Sequence, residues 1–257
     1  MPDMREDPMK EHETTDFGFE KVPLQEKKRR VYQVFESVAP NYNLMNDVMS
    51  FGIHRLWKRY AVGISRVKSG FQILDVAGGT GDLARLYARQ VGDNGRIVVC
   101  DINRDMLTTG RDQLLNNGFC KNIVYTQADA ERLPFAPNTF DLISMAFGLR
   151  NVTDKQQALS SMYEKLKYGC ALVVLEFSRP VLPMLGEVYD RYSYQLIPLM
   201  GKYIAGDEQS YRYLVESIRM HPDQNTLKKM MEQAGFARVE YHNLTGGIVA
   251  IHKGYKI

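Results

Sequence analysis

Apolar strands alternate with amphipathic helices through the middle of the chain. Five short apolar runs lie between residues 71 and 175, and stretches with helical spacing, such as residues 82–90 and 105–116, separate most of them. The predicted strands cover residues 73–76, 97–100, 123–125, 140–146 and 171–175. This alternation predicts an α/β domain with a mostly parallel sheet, helices on both faces and right-handed crossovers.

The segments on either side of this region have other patterns. Residues 1–25 are polar and are predicted to form a flexible N-terminal arm. Helical spacing begins near residue 26, where Val31, Phe35 and Val38 recur on one side. Residues 26–70 are therefore predicted to form a helical cover, and residues 26–257 to form a single domain.

An inserted helical cap is predicted for residues 182–220, before the last two strands. Its apolar side chains fall on one helical face. They are Leu185, Val188, Tyr189, Tyr192, Leu196, Leu199, Met200 and Tyr203. Such a face either packs on the sheet or receives an apolar ligand. A helix near residues 224–234 follows, and then two strands near residues 239–244 and 248–252, with Gly246-Gly247 as their hairpin turn.

Composition and charge restrict the classes of function. The formal net charge of the 257 residues is only +3 and no nucleic-acid-binding motif is present, so no nucleic acid partner is predicted. The three cysteines lack CxxC spacing, which predicts a reducing compartment and no metal site. No apolar run approaches the ~20 residues of a membrane span, and the acidic N-terminus is unlike a targeting peptide. A cytoplasmic bacterial protein is predicted.

Contact with a membrane surface stays open. The basic residues 27–30, Lys-Lys-Arg-Arg, begin the first predicted helix. They form either a solvated basic face or a site of attraction to anionic lipid head groups.

A glycine-rich loop between the first predicted strand and the next helix is the sharpest sequence signal. Residues 74–83 read LDVAGGTGDL, and the glycines allow a tight turn and close approach of the backbone to a ligand. Asp101 follows the next strand about twenty positions later, a spacing that suits a carboxylate on ribose hydroxyls. The loop therefore predicts a cofactor that contains a nucleoside.

Two further features favour S-adenosylmethionine over NAD. Asp75 and Asp82 flank the loop, where carboxylates would repel a pyrophosphate at the helix N-terminus but attract the sulfonium and ammonium of S-adenosylmethionine. After the third strand, Asp129 can accept from an adenine amino group and Ala130 offers a backbone amide. An NAD-dependent dehydrogenase is the alternative from another class.

Taken together, these segments resemble the class I S-adenosylmethionine-dependent methyltransferases. That class implies a Rossmann-like sheet of seven strands, the last of them antiparallel, and the terminal hairpin fits it. Longer segments resemble the ubiquinone/menaquinone biosynthesis C-methyltransferase family over nearly the whole chain. They are residues 16–19 (DFGF), 34–39 (VFESVA), 45–47 (MND), 50–58 (SFGIHRLWK), 146–153 (AFGLRNVT), 175–178 (LEFS) and 211–219 (YRYLVESIR).

The family resemblance implies methyl transfer to a ring carbon of a polyprenylated quinol. The acceptor would be 2-methoxy-6-polyprenyl-1,4-benzoquinol, demethylmenaquinol or both. The resemblance carries cofactor contacts over to Thr80, Asp101 and Asp129-Ala130. The full set of predicted cofactor-binding residues is Asp75, Gly78, Gly79, Thr80, Gly81, Asp101, Asp129 and Ala130.

Arg150 and Asn151 are the leading catalytic candidates. They follow the fourth predicted strand, at the sheet edge where this architecture binds ligands. A quinol carbon becomes nucleophilic when the neighbouring hydroxyl ionises, although a phenol has a pKa of ~10. In the family this arginine is assigned to proton abstraction, but a guanidinium stays protonated. Arg150 is therefore predicted to stabilise the phenolate, while a water held by Asn151 or a carboxylate takes the proton.

His54 and Tyr42, on the covering segment, are the second catalytic candidates, with His54 as a proton relay. Asn43 stands where the family usually has aspartate, so no carboxylate base is available there. Glu176, after the fifth strand, is predicted to orient the substrate. Each of these residues is otherwise a packed or capping side chain.

Other functions and partners stay open at this point. A small-molecule O-methyltransferase and a non-catalytic methyltransferase-fold subunit of a quinone-biosynthesis complex are the alternatives. The enzyme is expected to bind the quinol ring and the first isoprene units, and to leave the rest of the tail in the inner face of the cytoplasmic membrane. A homodimer is equally compatible with the sequence.

Overall fold

A computed structural model describes residues 14–38, 42–119, 121–181, 186 and 189–257. Its strands are β1 (Thr14–Phe17), β2 (Glu20–Pro23), β3 (Gln72–Val76), β4 (Arg96–Asp101), β5 (Ile123–Gln127), β6 (Phe140–Ala146), β7 (Leu166–Phe177), β8 (Ala237–Leu244) and β9 (Val249–Tyr255). Its helices are α1 (Leu24–Val38), α2 (Tyr42–Ser50), α3 (His54–Ser65), α4 (Asp82–Val91), α5 (Arg104–Asn116), α6 (Lys155–Lys165), α7 (Ile197–Met200), α8 (Glu208–Met220) and α9 (Gln224–Gln233).

Seven of the strands form one sheet in the order β5-β4-β3-β6-β7-β9-β8. All neighbours pair in parallel except β9, which runs antiparallel to both β7 and β8. The predicted Rossmann-like fold is confirmed, and so is the hairpin at its end. The strand order reverses between β3 and β6, and ligands of such sheets bind at the carboxyl ends of the strands beside this reversal.

The two faces of the sheet are covered by different helices. Ile73, Leu142 and Val173 face the side on which α3 and α4 pack. Leu74 and Ile143 face the opposite side, where α6 and α9 pack. Because the central strands are buried on both faces, they are almost continuously apolar, and this made them recognisable in the sequence.

The N-terminal region is more ordered than predicted. Within residues 1–25, expected to be a flexible arm, β1 and β2 pair antiparallel from Thr14–Pro23 to Phe17–Glu20. The ring of Phe17 stacks on Tyr213 at 4.2 Å between centroids, and the backbone N–H of Phe19 donates to Glu216 at 3.2 Å. The prediction was wrong for this hairpin because its stabilising partners lie on α8, far along the chain.

The cap departs from a single amphipathic helix. The turns Tyr192–Leu196 and Gly201–Ala205 on either side of α7 are π-helical. Each π turn adds a residue and rotates the following side chains. Ile197, which was not among the predicted apolar face, is buried, whereas Leu196, Leu199 and Tyr203 of that face are exposed. Leu185 and Val188 lie outside the described residues.

No helix in the described part of the chain combines the length and apolar character that crossing a bilayer requires.

Candidate active site

A cavity of about 100 Å³ lies at the carboxyl ends of β3, β4 and β6. Asp101, the last residue of β4, is at its base. Its carboxylate accepts from the backbone N–H of Gly79 and of Asn103, each at 2.9 Å. Burial raises the pKa of Asp101 to about 6, against the opposing effect of these hydrogen bonds. The carboxylate thus ties the glycine loop to the end of β4 and stays at the cavity wall.

A second, smaller cavity of about 30 Å³ lies inside the glycine loop, and Asp75, Gly78, Gly79 and Thr80 line it. Asp75 is 1% exposed; its Oδ1 accepts from Ser144 at 2.8 Å, but its Oδ2 has no partner in the structure. Burial raises the pKa of Asp75 to about 7. A buried carboxylate oxygen with no partner favours a cationic group. The Asp75 carboxylate therefore fits the sulfonium and ammonium of S-adenosylmethionine.

Backbone packing keeps the loop open for a ligand. Gly81 caps α4 at a φ of 79°, where a side chain would be strained and would meet Leu114 at 2.6 Å. On α5, a Cβ at Gly110 would lie 2.5 Å from the carbonyl oxygen of Gly79. Gly110 was not identified from the sequence, because a glycine inside a predicted helix does not reveal what it faces.

Substitution of Gly110 by alanine is expected to displace the glycine loop. The free energy of unfolding should fall by about 1–3 kcal/mol, the usual cost of overpacking, and affinity for S-adenosylmethionine should fall several-fold. Gly63 on α3 is a matched control, since nothing lies within 4 Å of its Cβ position. There, alanine should stabilise the helix by about 0.5–1 kcal/mol. Denaturant unfolding and calorimetric titration of both variants measure the contrast; equal behaviour would refute it.

Asp129 and Ala130 border the 100 Å³ cavity from the loop after β5. Oδ2 of Asp129 accepts from Lys28 at 2.7 Å, and Glu131 accepts from the same ammonium at 2.9 Å. Lys28 therefore links α1 to the loop after β5, at the wall of the 100 Å³ cavity. This role was missed, because residues 27–30 were interpreted as a solvated or lipid-facing basic stretch.

The neighbours of Lys28 are also engaged within the protein. Lys27 is 2% exposed and donates to the carbonyl oxygen of Val152 at 3.2 Å. Burial lowers the pKa of Lys27 to about 8. Arg30 pairs with Glu20 and Glu26. A solvated basic face was therefore the wrong interpretation for Lys27, whereas Arg30 stays partly exposed in its two ion pairs.

A larger cavity of about 250 Å³ lies between the helical cover, the cap and the ends of β6 and β7. Most of its wall is apolar, with Met45, Trp57, Phe177 and Ile197 among the contributing side chains. Phe35, Phe147 and Asn151 line both this cavity and the 100 Å³ one. The two cavities are therefore neighbours, separated by only a few side chains.

Arg150 is buried at the wall of the larger cavity. Its Nη1 donates to Oε1 of Glu176 at 2.9 Å, and its backbone N–H donates to Oε2 of the same carboxylate at 3.2 Å. Its Nε is buried without a partner, and the guanidinium lies 5.5 Å from the centroid of the Phe177 ring. Glu176 thus fixes the guanidinium at the cavity wall.

Asn151 adjoins this pair and lines both cavities. Its Oδ1 accepts from the hydroxyl of Tyr213 at 3.1 Å. Burial raises the pKa of Tyr213, so that tyrosine stays a neutral donor. The amide NH₂ of Asn151 is consequently directed away from Tyr213.

His54 lines the larger cavity and is 6% exposed. Its Nε2 lies 2.8 Å from Oδ1 of Asp47, and its Nδ1 is buried without a partner. The pKa of Asp47 is lowered, chiefly by Arg55, so it is an ionised acceptor. Nε2 must then carry the proton, which leaves the lone pair on Nδ1. Burial, and then the nearby Lys58, lower the pKa of His54 and keep the ring neutral.

Tyr42 is the first residue of α2, but its side chain lies outside the described part of the structure. Lys58, which the sequence did not single out, donates from Nζ to Oδ2 of Asp82 at 2.6 Å. Burial alone would raise the pKa of Asp82, yet this ammonium brings it below its ordinary value. Lys58 lines the 250 Å³ and 30 Å³ cavities alike. Lys58 could have been identified from the sequence because it lies one helical turn after His54 on α3.

Comparison with known proteins gives a consistent result. The family model described as "ubiE/COQ5 methyltransferase family" matches residues 23–256. The ubiquinone/menaquinone biosynthesis C-methyltransferase UbiE of Cellvibrio japonicus is 57% identical over 248 residues, which are 96% of this chain and 100% of that protein. The protein of the same name from a Marinomonas species is 59% identical over 243 residues, 95% of this chain and 97% of the relative.

The fold comparison agrees with the sheet order. The crystal structure of an S-adenosylmethionine-dependent methyltransferase from Thermotoga maritima, a possible histamine N-methyltransferase, superposes with a TM-score of 0.64. The match covers 88% of this chain and 100% of that chain at 18% identity, so it bears on the fold alone.

Proposed function

The chain belongs to the ubiE/COQ5 methyltransferase family, and we propose that Arg150, Asn151 and His54 are its catalytic residues. It is an S-adenosylmethionine-dependent C-methyltransferase of ubiquinone and menaquinone biosynthesis. The methyl group would go to a ring carbon of a polyprenylated quinol held in the 250 Å³ cavity. Membership in this family removes the dehydrogenase alternative. The observation that supports the proposal is the adjacency of an apolar cavity to a cofactor-type cavity, with Phe35, Phe147 and Asn151 in both walls.

The cofactor is assigned to the two cavities at the ends of β3 and β4. Asp75, with Gly78, Gly79, Thr80 and Gly81, would hold its amino-acid end, and Asp101, Asp129 and Ala130 its adenosine end. When bound there, S-adenosylmethionine supplies an electrophilic methyl group.

Arg150 stabilises the phenolate that makes the ring carbon nucleophilic. Its charge is permanent and its orientation is set by Glu176 before any ligand arrives. Such preorganised charge beside a mostly apolar wall favours the ionised ring oxygen without reorganisation. Asn151, held by Tyr213, presents its NH₂ group as a further donor.

His54 takes the proton from the ring hydroxyl at Nδ1. The imidazole lines the cavity and is neutral, its Nδ1 has no partner within the protein, and Asp47 stabilises the imidazolium that forms. Arg150 and His54 thus divide two tasks, because a guanidinium holds charge but does not accept a proton. The ring carbon bonds to the methyl group as the methyl–sulfur bond breaks and its electron pair stays on sulfur. The C–H proton of that carbon then leaves to water, and His54 returns its proton to the ring oxygen, which restores the quinol. Tyr42 stays a sequence-based candidate.

The prenyl tail explains the apolar wall of the larger cavity. Each buried methylene contributes ~0.8 kcal/mol, so one five-carbon unit is a substantial part of the binding energy. A cavity of about 250 Å³ suits the ring and the nearest isoprene units. The rest of a long tail would stay in lipid, and we therefore propose peripheral association with a membrane surface.

Affinity for S-adenosylmethionine should depend on pH through Asp75. A cationic ligand binds the ionised carboxylate, so binding weakens as pH falls below about 7 and releases protons near that pH. The slope should approach about tenfold in Kd per pH unit. In Asp75→Asn the dependence should move down towards the titration of Asp101, near pH 6. Calorimetry in buffers of different ionisation heat measures the proton release; the exposed Asp93→Asn is the control.

The quinone mass profile of cells that lack this gene tests the function. Loss should produce quinones lighter by one methyl group, and the intact gene should reverse this whereas an Asp101→Ala copy should not. Fragmentation must place the new methyl on the ring carbon, because a methyl on oxygen has the same mass and would indicate an O-methyltransferase. An unchanged profile, in a host with no second enzyme for the step, would overturn the proposal.

A further inference from the structure

A polar groove of about 350 Å³ lies between α3 and α4; His54 and the glycine loop form its inner end, and four arginines to which the proposed reaction gives no role form its outer part. Arg55 and Arg59 reach it from α3, and Arg85 and Arg89 reach it from α4. Each pair is separated by four residues, so both arginines of a pair lie on one helical face. The groove is therefore walled by two rows of guanidinium groups.

The charge of the groove is not neutralised by the protein. With Lys58 it has five cations, against the two carboxylates of Asp47 and Asp82. Arg55 pairs with Asp47, and Arg85 lies 3.9 Å from Asp82. Among the described residues, Arg59 and Arg89 have no carboxylate partner. The groove is thus complementary to an anion.

Exposed apolar side chains border the same helix. Leu56 and Tyr60 on α3 are 60% and 45% exposed, and Phe51, just before α3, is 80% exposed. Phe51 and the partly exposed Ile53 also line the 250 Å³ cavity, so that cavity opens at this surface. Around the circumference of α3, the arginines are therefore followed by the exposed Leu56 and Tyr60, and then by the buried face of the helix.

We propose that α3 and the arginine groove form the membrane-docking surface of the protein, with the phosphate of an anionic phospholipid in the groove. An interfacial helix combines arginine with exposed leucine and aromatic residues in this way. Phe51 and Leu56 contact the acyl boundary, and attraction between the arginines and the anionic surface adds to this burial. The mouth of the quinol cavity then faces lipid. This proposal rests on the proposed function in one respect only, which is that the group passing through the mouth of the 250 Å³ cavity is a prenyl tail.

Co-sedimentation with vesicles tests the docking surface. The wild-type protein should bind phosphatidylcholine vesicles that contain phosphatidylglycerol, and bind phosphatidylcholine alone more weakly. Arg59→Gln/Arg89→Gln should reduce partitioning onto the anionic vesicles by roughly tenfold to thirtyfold, the effect of two charges near an anionic surface. Leu56→Gln should reduce it on both vesicle types. Lys121→Gln/Lys229→Gln removes two exposed charges outside the groove and should change it little.

The controls separate the outcomes. Equal losses in the two charge variants would overturn the proposal, since net charge and not the groove would then govern binding. The proposal would also be overturned if inorganic phosphate binds in the groove but Arg59→Gln/Arg89→Gln leaves vesicle binding unchanged. The groove would then be a site for a free anion. Turnover of a short-chain, water-soluble quinol should be unchanged in Arg59→Gln/Arg89→Gln. If the wild-type protein fails to methylate that quinol but binds vesicles through the groove, the proposed function fails and the docking surface stands.

Discussion

Replacement of Arg150 by methionine is expected to lower kcat by about 10²–10³-fold, the usual loss when a preorganised donor to a developing oxyanion is removed. Affinity for S-adenosylmethionine should change little, because Arg150 lines the 250 Å³ cavity and neither of the cofactor-side cavities. Single-turnover methylation of a short-chain quinol, with separate calorimetric titration of the cofactor, measures both quantities.

Folding must be separated from chemistry in this experiment. Methionine at position 150 leaves the buried carboxylate of Glu176 without its partner, and breaking a buried pair in this way costs about 3–5 kcal/mol. Arg150→Met/Glu176→Gln removes the unpaired charge and should recover much of the stability while activity stays low. Arg150→Lys keeps a charge but loses the planar guanidinium whose Nη1 donates to Glu176, so it should be impaired as well. Turnover within a few-fold of wild type in a folded methionine variant would show that the assignment is wrong.

Replacement of His54 by glutamine is expected to reduce kcat by about 10²–10⁴-fold, the range for loss of a general base. The neutral imidazole is the active form, so the wild-type rate should fall as pH drops below a pKa that lies under the ordinary 6.5. That acid limb should disappear in the glutamine variant. The measurement is the pH dependence of single-turnover methylation at saturating cofactor.

Asp47 provides the matched test for His54. Asp47→Asn keeps a hydrogen-bonding side chain at Nε2 but removes the charge that stabilises the imidazolium. It should lower kcat less than loss of the imidazole does, and should shift the acid limb to lower pH. An unchanged pH profile in His54→Gln would contradict a proton-accepting role and leave His54 as a buried packing residue.

The sheet and the carboxylates of the cofactor side were accessible from sequence for a physical reason. Strands buried on both faces must be apolar, and the carboxyl ends of parallel strands meet at one edge. Asp75, Asp101 and Asp129 could therefore be placed together although they lie far apart in the chain. The glycine loop was also recognisable, because few other turns need several glycines so close together.

Other parts of the site could not be predicted, because they depend on contacts between distant elements. Lys28 and Asp129 are 101 positions apart, and Arg150 and Glu176 are 26 apart. Helical spacing shows which face of α1 is apolar, but not that a lysine on another face meets a loop of the sheet. The hairpin of β1 and β2 was missed for the same reason, since Phe19 and Glu216 are 197 positions apart.

The position of α1 has a thermodynamic consequence. Through Phe35 it walls both the 100 Å³ and the 250 Å³ cavity, and through Lys28 it is joined to Asp129. A ligand that restrains α1 in one cavity lowers the ordering cost of binding in the other. Such coupling is reciprocal: the factor by which the cofactor tightens quinol binding equals the factor by which the quinol tightens cofactor binding. With the cavities assigned as proposed, each ligand is expected to tighten the binding of the other.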